Sequence, residues 1–153
     1  NGMSKSHAIP GWRLGYVAGP EDEIKALNNI QSHSTSNPCC LVQMAAITSM
    51  NDVDDFIAKA GKEFLARRDF IVKELNDIPG VSCPTPGGAF YVFPKVPTTD
   101  DWDFTNKLLD EKFVAVVPGT EFGIPGHVRL SYATSMENIK KGIERIKEYC
   151  ATL

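Results

Sequence analysis

The apolar residues Ile57, Ala60, Phe64, Ile71 and Leu75 recur at helical spacing, and Pro79-Gly80 stops the run. Positions three to four apart share one face of a helix, so the spacing predicts a helix over about 53–77. Proline has no N–H to continue it. After this stop the chain is punctuated at strand length. Val81–Cys83 and Ala89–Phe93 read as strands joined by the turn Pro84-Thr85-Pro86-Gly87-Gly88. Asp101–Lys112 reads as a helix, Val114–Val117 as a short buried strand, Pro118–Gly126 as a loop and His127–Ala133 as a strand. Thr134-Ser135-Met136-Glu137 has the form of a capping box before a helix lined by Ile139, Ile143 and Ile146. This order of elements closes as a small α/β sandwich, with helices covering one face of a sheet.

The residues before the long helix do not join that sandwich. Leu14–Ala18 reads as a strand. Gly19-Pro20 places a proline at the first helical position, ahead of Glu21, Asp22 and Glu23, which suit a positive helix N-terminus. Ile24, Leu27 and Ile30 supply that helix with an apolar stripe, Ser32–Pro38 reads as a loop, and helix resumes from near Leu41 to near Asn51. One strand and two helices have no sheet of their own. A domain break is therefore expected near Ser49–Val53, with residues 1–50 in one part and 51–153 in the other.

Composition narrows the function classes. Sixteen Lys and Arg against nineteen Asp and Glu leave a net charge of −3 with no basic cluster, which argues against nucleic acid or an anionic membrane as partner. Apolar runs such as Ala89–Phe93 are far too short to span a bilayer. Cys39, Cys40, Cys83 and Cys150 contain no C-x-x-C pair, and His7, His33 and His127 lack metal-ligand spacing. The reading is no metal site, and reduced thiols in a cytoplasmic protein.

The richest chemistry lies in Gly2-Met3-Ser4-Lys5-Ser6-His7-Ala8-Ile9-Pro10-Gly11-Trp12-Arg13-Leu14-Gly15, where a lysine precedes an arginine by eight residues. A lysine among small residues can approach a bulky ligand, and near another cation its amine is biased toward the neutral, nucleophilic form. An arginine offers a planar fork that suits phosphate. On spacing alone, a surface lysine and a structural arginine account for the pattern better.

The segment resembles, from Gly2 to Gly15, the pyridoxal-phosphate lysine signature of class I aminotransferases. The resemblance continues through Tyr16-Val17-Ala18-Gly19-Pro20, Ser34-Thr35-Ser36-Asn37-Pro38, Gly87-Gly88-Ala89-Phe90-Tyr91, Val117-Pro118-Gly119 and His127-Val128-Arg129-Leu130-Ser131-Tyr132-Ala133, in the family's order. It is closest to the aspartate aminotransferase subgroup.

The resemblance implies a fold and a site. The fold is α/β, fold type I of the pyridoxal-phosphate enzymes. Residues 1–50 would be the last part of the large cofactor domain, and 51–153 the C-terminal small domain. Lys5 matches the Schiff-base lysine, which also moves the proton from the substrate Cα in a ping-pong exchange between an amino acid and a 2-oxo acid. Arg13 matches the cofactor-phosphate arginine. Relatives often carry a phosphate-binding serine where this chain has Gly2, and Ser4 is the candidate to compensate. Arg129 matches the arginine for the substrate α-carboxylate. It sits in an apolar strand, where a charge needs an anion, either a ligand or a buried acid. Ser36 and Asn37 match a loop that approaches the neighbouring subunit in homodimeric relatives. No arginine stands between Gln31 and Pro38 to mark a dicarboxylate substrate. Tyr91 and Phe93 read as core, and His7 receives no role.

Family members are much longer. The loop that cradles the phosphate, the aromatic that stacks on the ring and the acid that keeps its nitrogen protonated are not in this chain. The expectation is a C-terminal fragment, beginning at Asn1 four residues before the lysine, that does not transaminate alone. Two other readings stay open. One is another class I enzyme acting on aromatic amino acids, kynurenine or alanine, or a related lyase. The other is a non-catalytic α/β interaction module.

Overall fold

The structure, a computed structural model, describes residues 1–153. The chain divides into two compact units, Asn1–Ala60 and Gly61–Leu153. They meet inside the long helix, some residues past the 49–53 region where composition and periodicity suggest a break.

The first unit is helical. A short helix α1, Met3–Ser6, is followed by a 3-10 turn, Pro10–Trp12, then by helices α2, Glu21–Ser34, and α3, Cys40–Asn51. The expected strand at 14–18 is reduced to one antiparallel bridge, Gly15 to Gly2. A strand persists only beside a partner, and within this unit the extended segment finds one residue of ladder. Pro20 stands at the cap position rather than inside α2: its carbonyl accepts from the Ile24 N–H at 3.0 Å, and Glu21, Asp22 and Glu23 form the first turn. The helix also runs through Ser34, beyond the residue where serine-rich composition suggested a loop. Neither Leu27 nor Ile30 on α2 is covered, and Leu41, Met44, Ile47 and Met50 on α3 are exposed; Ala46 is the only buried residue of α3.

The second unit holds the core. Helix α4, Asp54–Asn76, enters it, and its apolar stripe joins the core from the half-buried Phe64 and ends in the buried Ile71, Val72 and Leu75. Strand β1, Tyr91–Val92, helix α5, Asp101–Lys112, strand β2, Val117–Pro118, strand β3, Val128–Ser131, and helix α6, Met136–Cys150, follow. The sheet has the order β1-β3-β2 and is antiparallel throughout, with Tyr91 opposite Ser131 and Val117 opposite Arg129. Alternation on β3 sends Val128 and Leu130 into the core with Phe104, Leu108, Ile139, Ile143, Ile146 and Tyr149. Arg129 and Ser131 therefore face the other way.

Three local expectations are corrected here. Val81–Cys83 and Ala89–Phe93 do not form a hairpin; Ser82 bridges to Lys95 instead. Ala89 has a left-handed backbone (φ 62°), and Pro84, Pro86 and Pro94 have no N–H for a ladder. The strand read at 114–117 is displaced to Val117–Pro118, because Phe113 ends α5 in a left-handed cap and the Val114 N–H turns back to the Leu108 carbonyl. The cap of α6 lies one residue later than the capping box implies. Ser135 Oγ accepts from the Asn138 N–H at 3.2 Å, and Glu137 pairs with Lys141 instead of reaching back.

Candidate active-site residues

Residues 1–16 close on themselves. Backbone groups of Asn1 and Tyr16 exchange hydrogen bonds at 2.7 and 2.8 Å, and the Met3 N–H donates to the Leu14 carbonyl at 3.3 Å. The crossing is tight: a Cβ on Gly15 would lie 3.2 Å from the Asn1 carbonyl oxygen. The closed loop carries Ser4 and Lys5 on α1, anchored by the buried Met3, and then Arg13 just past the 3-10 turn. Lys5 and Arg13 are exposed and Ser4 is half-buried.

The backbone of this loop is unusual where the candidate residues sit. Ala8 and Arg13 both adopt left-handed conformations, with φ of 54° and 52°. Side chains with a Cβ rarely adopt these, and such strain collects at functional sites. The Arg13 guanidinium makes one hydrogen bond, from Nη1 to the Pro10 carbonyl at 3.2 Å, and no ion pair. Most of its donor fork is left for a ligand. The same loop carries one guanidinium, one primary amine and the Ser4 hydroxyl, groups whose chemistry suits a phosphate ester and a carbonyl. That donor set fits pyridoxal phosphate.

Ser36 and Asn37 lie in the same unit, in the turn after α2. Ser36 has a left-handed backbone (φ 60°), and its N–H donates to the Gln31 carbonyl while Gln31 Nε2 donates back to the Ser36 carbonyl, both at 2.9 Å. Asn37 Nδ2 and Gln43 Nε2 both donate to the Pro38 carbonyl, at 2.9 and 2.7 Å. The turn is held by its own side chains, and the exposed Asn37 is oriented within it.

Arg129 belongs to the second unit. It is half-buried and makes no ion pair, so the buried acid that a structural role would require is absent. Instead its guanidinium carbon lies 4.5 Å from the centre of the Tyr91 ring and 4.6 Å from that of Phe122. Both rings stabilise the cation while leaving its N–H donors unpaired. Phe122 sits in a second 3-10 turn, Gly119–Phe122, directly after β2. The core role read for Tyr91 and Phe93 is corrected: both are only half-buried, Tyr91 lies against Arg129, and Phe93 stacks on His127 at 5.4 Å and meets Phe122 edge-on at 5.7 Å. Phe122 had no sequence reading at all. Its one signal is a lone aromatic inside a loop otherwise rich in glycine.

No group of three or more His, Cys, Asp or Glu side chains is placed to hold a metal ion, and no helix is long and apolar enough to cross a membrane.

An α/β architecture with a strained lysine–arginine loop and an unpaired strand arginine defines the class: the chain belongs to the aminotransferase class I and II family, whose sequence model matches residues 1–146. Among curated relatives, the aspartate aminotransferase of Bacillus subtilis is 46% identical over 156 aligned positions, covering 97% of this chain and 40% of the relative. The aspartate/prephenate aminotransferase of Cereibacter sphaeroides is 43% identical over 165 positions, covering 100% of this chain and 41% of the relative. The crystal structure of the aspartate aminotransferase of Rhizobium meliloti superposes with a TM-score of 0.93 at 40% identity, over 99% of this chain and 41% of that structure. The architecture is thus that of part of a fold-type-I α/β transferase. The chain spans about 40% of the length of the curated relatives it matches.

Proposed function

We propose that the chain is the C-terminal part of a pyridoxal-phosphate-dependent aminotransferase, acting between an aspartate-like amino acid and a 2-oxo acid by a ping-pong exchange. In this reading residues 1–50 complete a large cofactor domain and 51–153 form the small domain. The observation that supports the proposal is the closed loop 1–16, which carries both Lys5 and Arg13, the latter with a single hydrogen bond from its guanidinium.

Bound pyridoxal phosphate supplies a carbonyl carbon for the substrate amine and a ring that accepts electrons. Arg13 binds its phosphate through paired N–H donors, and Ser4 Oγ adds a contact where Gly2 offers none. Lys5 would hold the cofactor through Nζ, and its amine would serve as the base for the substrate Cα proton. Arg129 binds the substrate α-carboxylate, and its flanking rings keep the fork from turning. Ser36 and Asn37 face the neighbouring subunit of a homodimer. The enzyme works in the cytoplasm, a compartment consistent with four free cysteines.

The 153-residue chain alone does not transaminate. It spans about 40% of its relatives, and the uncovered apolar faces of α2 and α3 await the rest of the polypeptide. Sustained turnover of aspartate and 2-oxoglutarate by the purified chain with cofactor added would overturn this. In the complete polypeptide, borohydride reduction followed by peptide mapping fixes the cofactor on Lys5; label on another lysine refutes the assignment.

A further inference from the structure

The least accessible acid of the second unit lies away from any ion pair. Asp101, in the first turn of α5, is only 2% exposed, and both its carboxylate oxygens are taken by one residue. Thr120 donates its N–H to one oxygen and its hydroxyl to the other, each at 2.7 Å. A buried carboxylate is costly unless its lone pairs are satisfied, and these two charge-assisted bonds satisfy it. The clamp fixes the 3-10 turn from outside, while the Gly119 N–H fixes it from inside by donating to the His127 carbonyl at 2.7 Å. Two residues along the same turn is Phe122, itself 44% exposed, whose ring lies against Arg129. Phe93 meets this ring edge-on at 5.7 Å, and the turn sets the position from which the ring approaches Arg129.

We propose that Asp101 and Thr120 are positioning residues for the substrate carboxylate: through their clamp they hold Phe122 against Arg129 and so keep its donor fork oriented before substrate arrives. The inference rests on the assignment of Arg129 to that carboxylate. An arginine held in its bound orientation loses less side-chain freedom on binding, and the difference appears as affinity. Tyr91 supports the guanidinium from β1, and Phe122 supports it from a turn with no strand partner of its own. The clamp is the side-chain tie that adds to the backbone bonds of that turn, so weakening it loosens the second support.

The test uses the complete aminotransferase, with aspartate as donor and 2-oxoglutarate as acceptor. Asp101→Asn and Thr120→Val preserve volume but weaken the clamp. Each raises the aspartate KM about fivefold with kcat within about twofold, while Thr120→Ser keeps the hydroxyl and stays near the parent. The Arg129 Nε–H resonance supplies a second readout: the ring-current shift from Phe122 diminishes in Asp101→Asn and Thr120→Val and persists in Thr120→Ser. Phe122→Leu leaves the clamp intact and raises KM by a similar factor. Unchanged KM in Phe122→Leu overturns the proposal even where the clamp variants fail to fold. Unchanged KM and resonance in folded clamp variants overturn it as well. In either case Arg129→Lys separates the two claims. If it raises KM, the carboxylate assignment stands without the clamp; if it does not, the assignment itself fails.

Discussion

Tyr91 and Arg129 are diagonal neighbours on adjacent antiparallel strands, and the guanidinium carbon of Arg129 stands 4.5 Å from the Tyr91 ring centre. Tyr91 pairs with Ser131, two residues along from Arg129, so both side chains leave the same face of the sheet. That face is opposite the one carrying Val128 and Leu130 into the core.

Replacing Arg129 by Lys keeps the charge but loses the planar fork. In the complete enzyme the expected fall in kcat/KM is about 10- to 100-fold, mostly through KM, the range for a hydrogen-bonded charge pair. Tyr91→Leu removes one supporting ring and costs about two- to fivefold. Steady-state kinetics with aspartate check both, and a larger effect from Tyr91→Leu than from Arg129→Lys would reverse the roles.

Gly119→Ala is expected to destabilise the second unit by about 2–3 kcal/mol. An added Cβ would lie 2.7 Å from the His127 carbonyl oxygen and 2.8 Å from the His127 Cβ. Relief requires β2 and β3 to separate where Val117 pairs with Arg129. The urea midpoint, compared with the parent chain, measures it; an unchanged midpoint means the strands yield at no cost.

Asp101 gives the fold an acid sensitivity. Burial pushes its pKa up, but the Thr120 hydroxyl, the Thr120 N–H and further backbone bonds outweigh burial, and the net shift is downward. A carboxylate with a depressed folded pKa adds stability above its unfolded value, near 4, and that stability is lost as pH falls through the folded pKa. Urea midpoints taken between about pH 6 and about pH 3 should fall more for the parent than for Asp101→Asn. Parallel curves would show that the clamp contributes nothing to acid stability.

Much of this was legible because periodicity survives folding. The helix over about 53–77 is α4, Asp54–Asn76, and 101–112 is α5 to the residue, since each has a strong stop or cap. The strands were less legible, because a strand is defined by its partner. Ala89 and Phe113 sit in left-handed conformations that neither residue type advertises, and they moved the ladder. Arg129 was visible as a charge in an apolar strand. Its surroundings were not: Tyr91 reaches it across strands, Phe122 through a turn, and no spacing in the sequence encodes either contact.

The cysteines should separate cleanly by reactivity. Burial raises the pKa of Cys83 to about 11, and burial alone does the same for Cys150, also to about 11. The thiolate is the nucleophile, so both are almost wholly protonated, and poorly reactive, near neutral pH. Cys39 and Cys40 are exposed at the start of α3. Iodoacetamide added to the native chain at about pH 8 should therefore alkylate Cys39 and Cys40 first, and Cys83 and Cys150 only after urea is added. Peptide mapping by mass spectrometry reads the order. Cys83 lies at the end of the segment that Asn76 pins, with Asn76 Nδ2 donating to the Cys83 carbonyl and Asn76 Oδ1 accepting from the Cys83 N–H, each at 2.9 Å. Asn76→Ala removes that staple, and early labelling of Cys83 should follow while Cys150, on α6, stays protected. Equal labelling of Cys83 in both chains would mean that the core, not Asn76, guards the thiol.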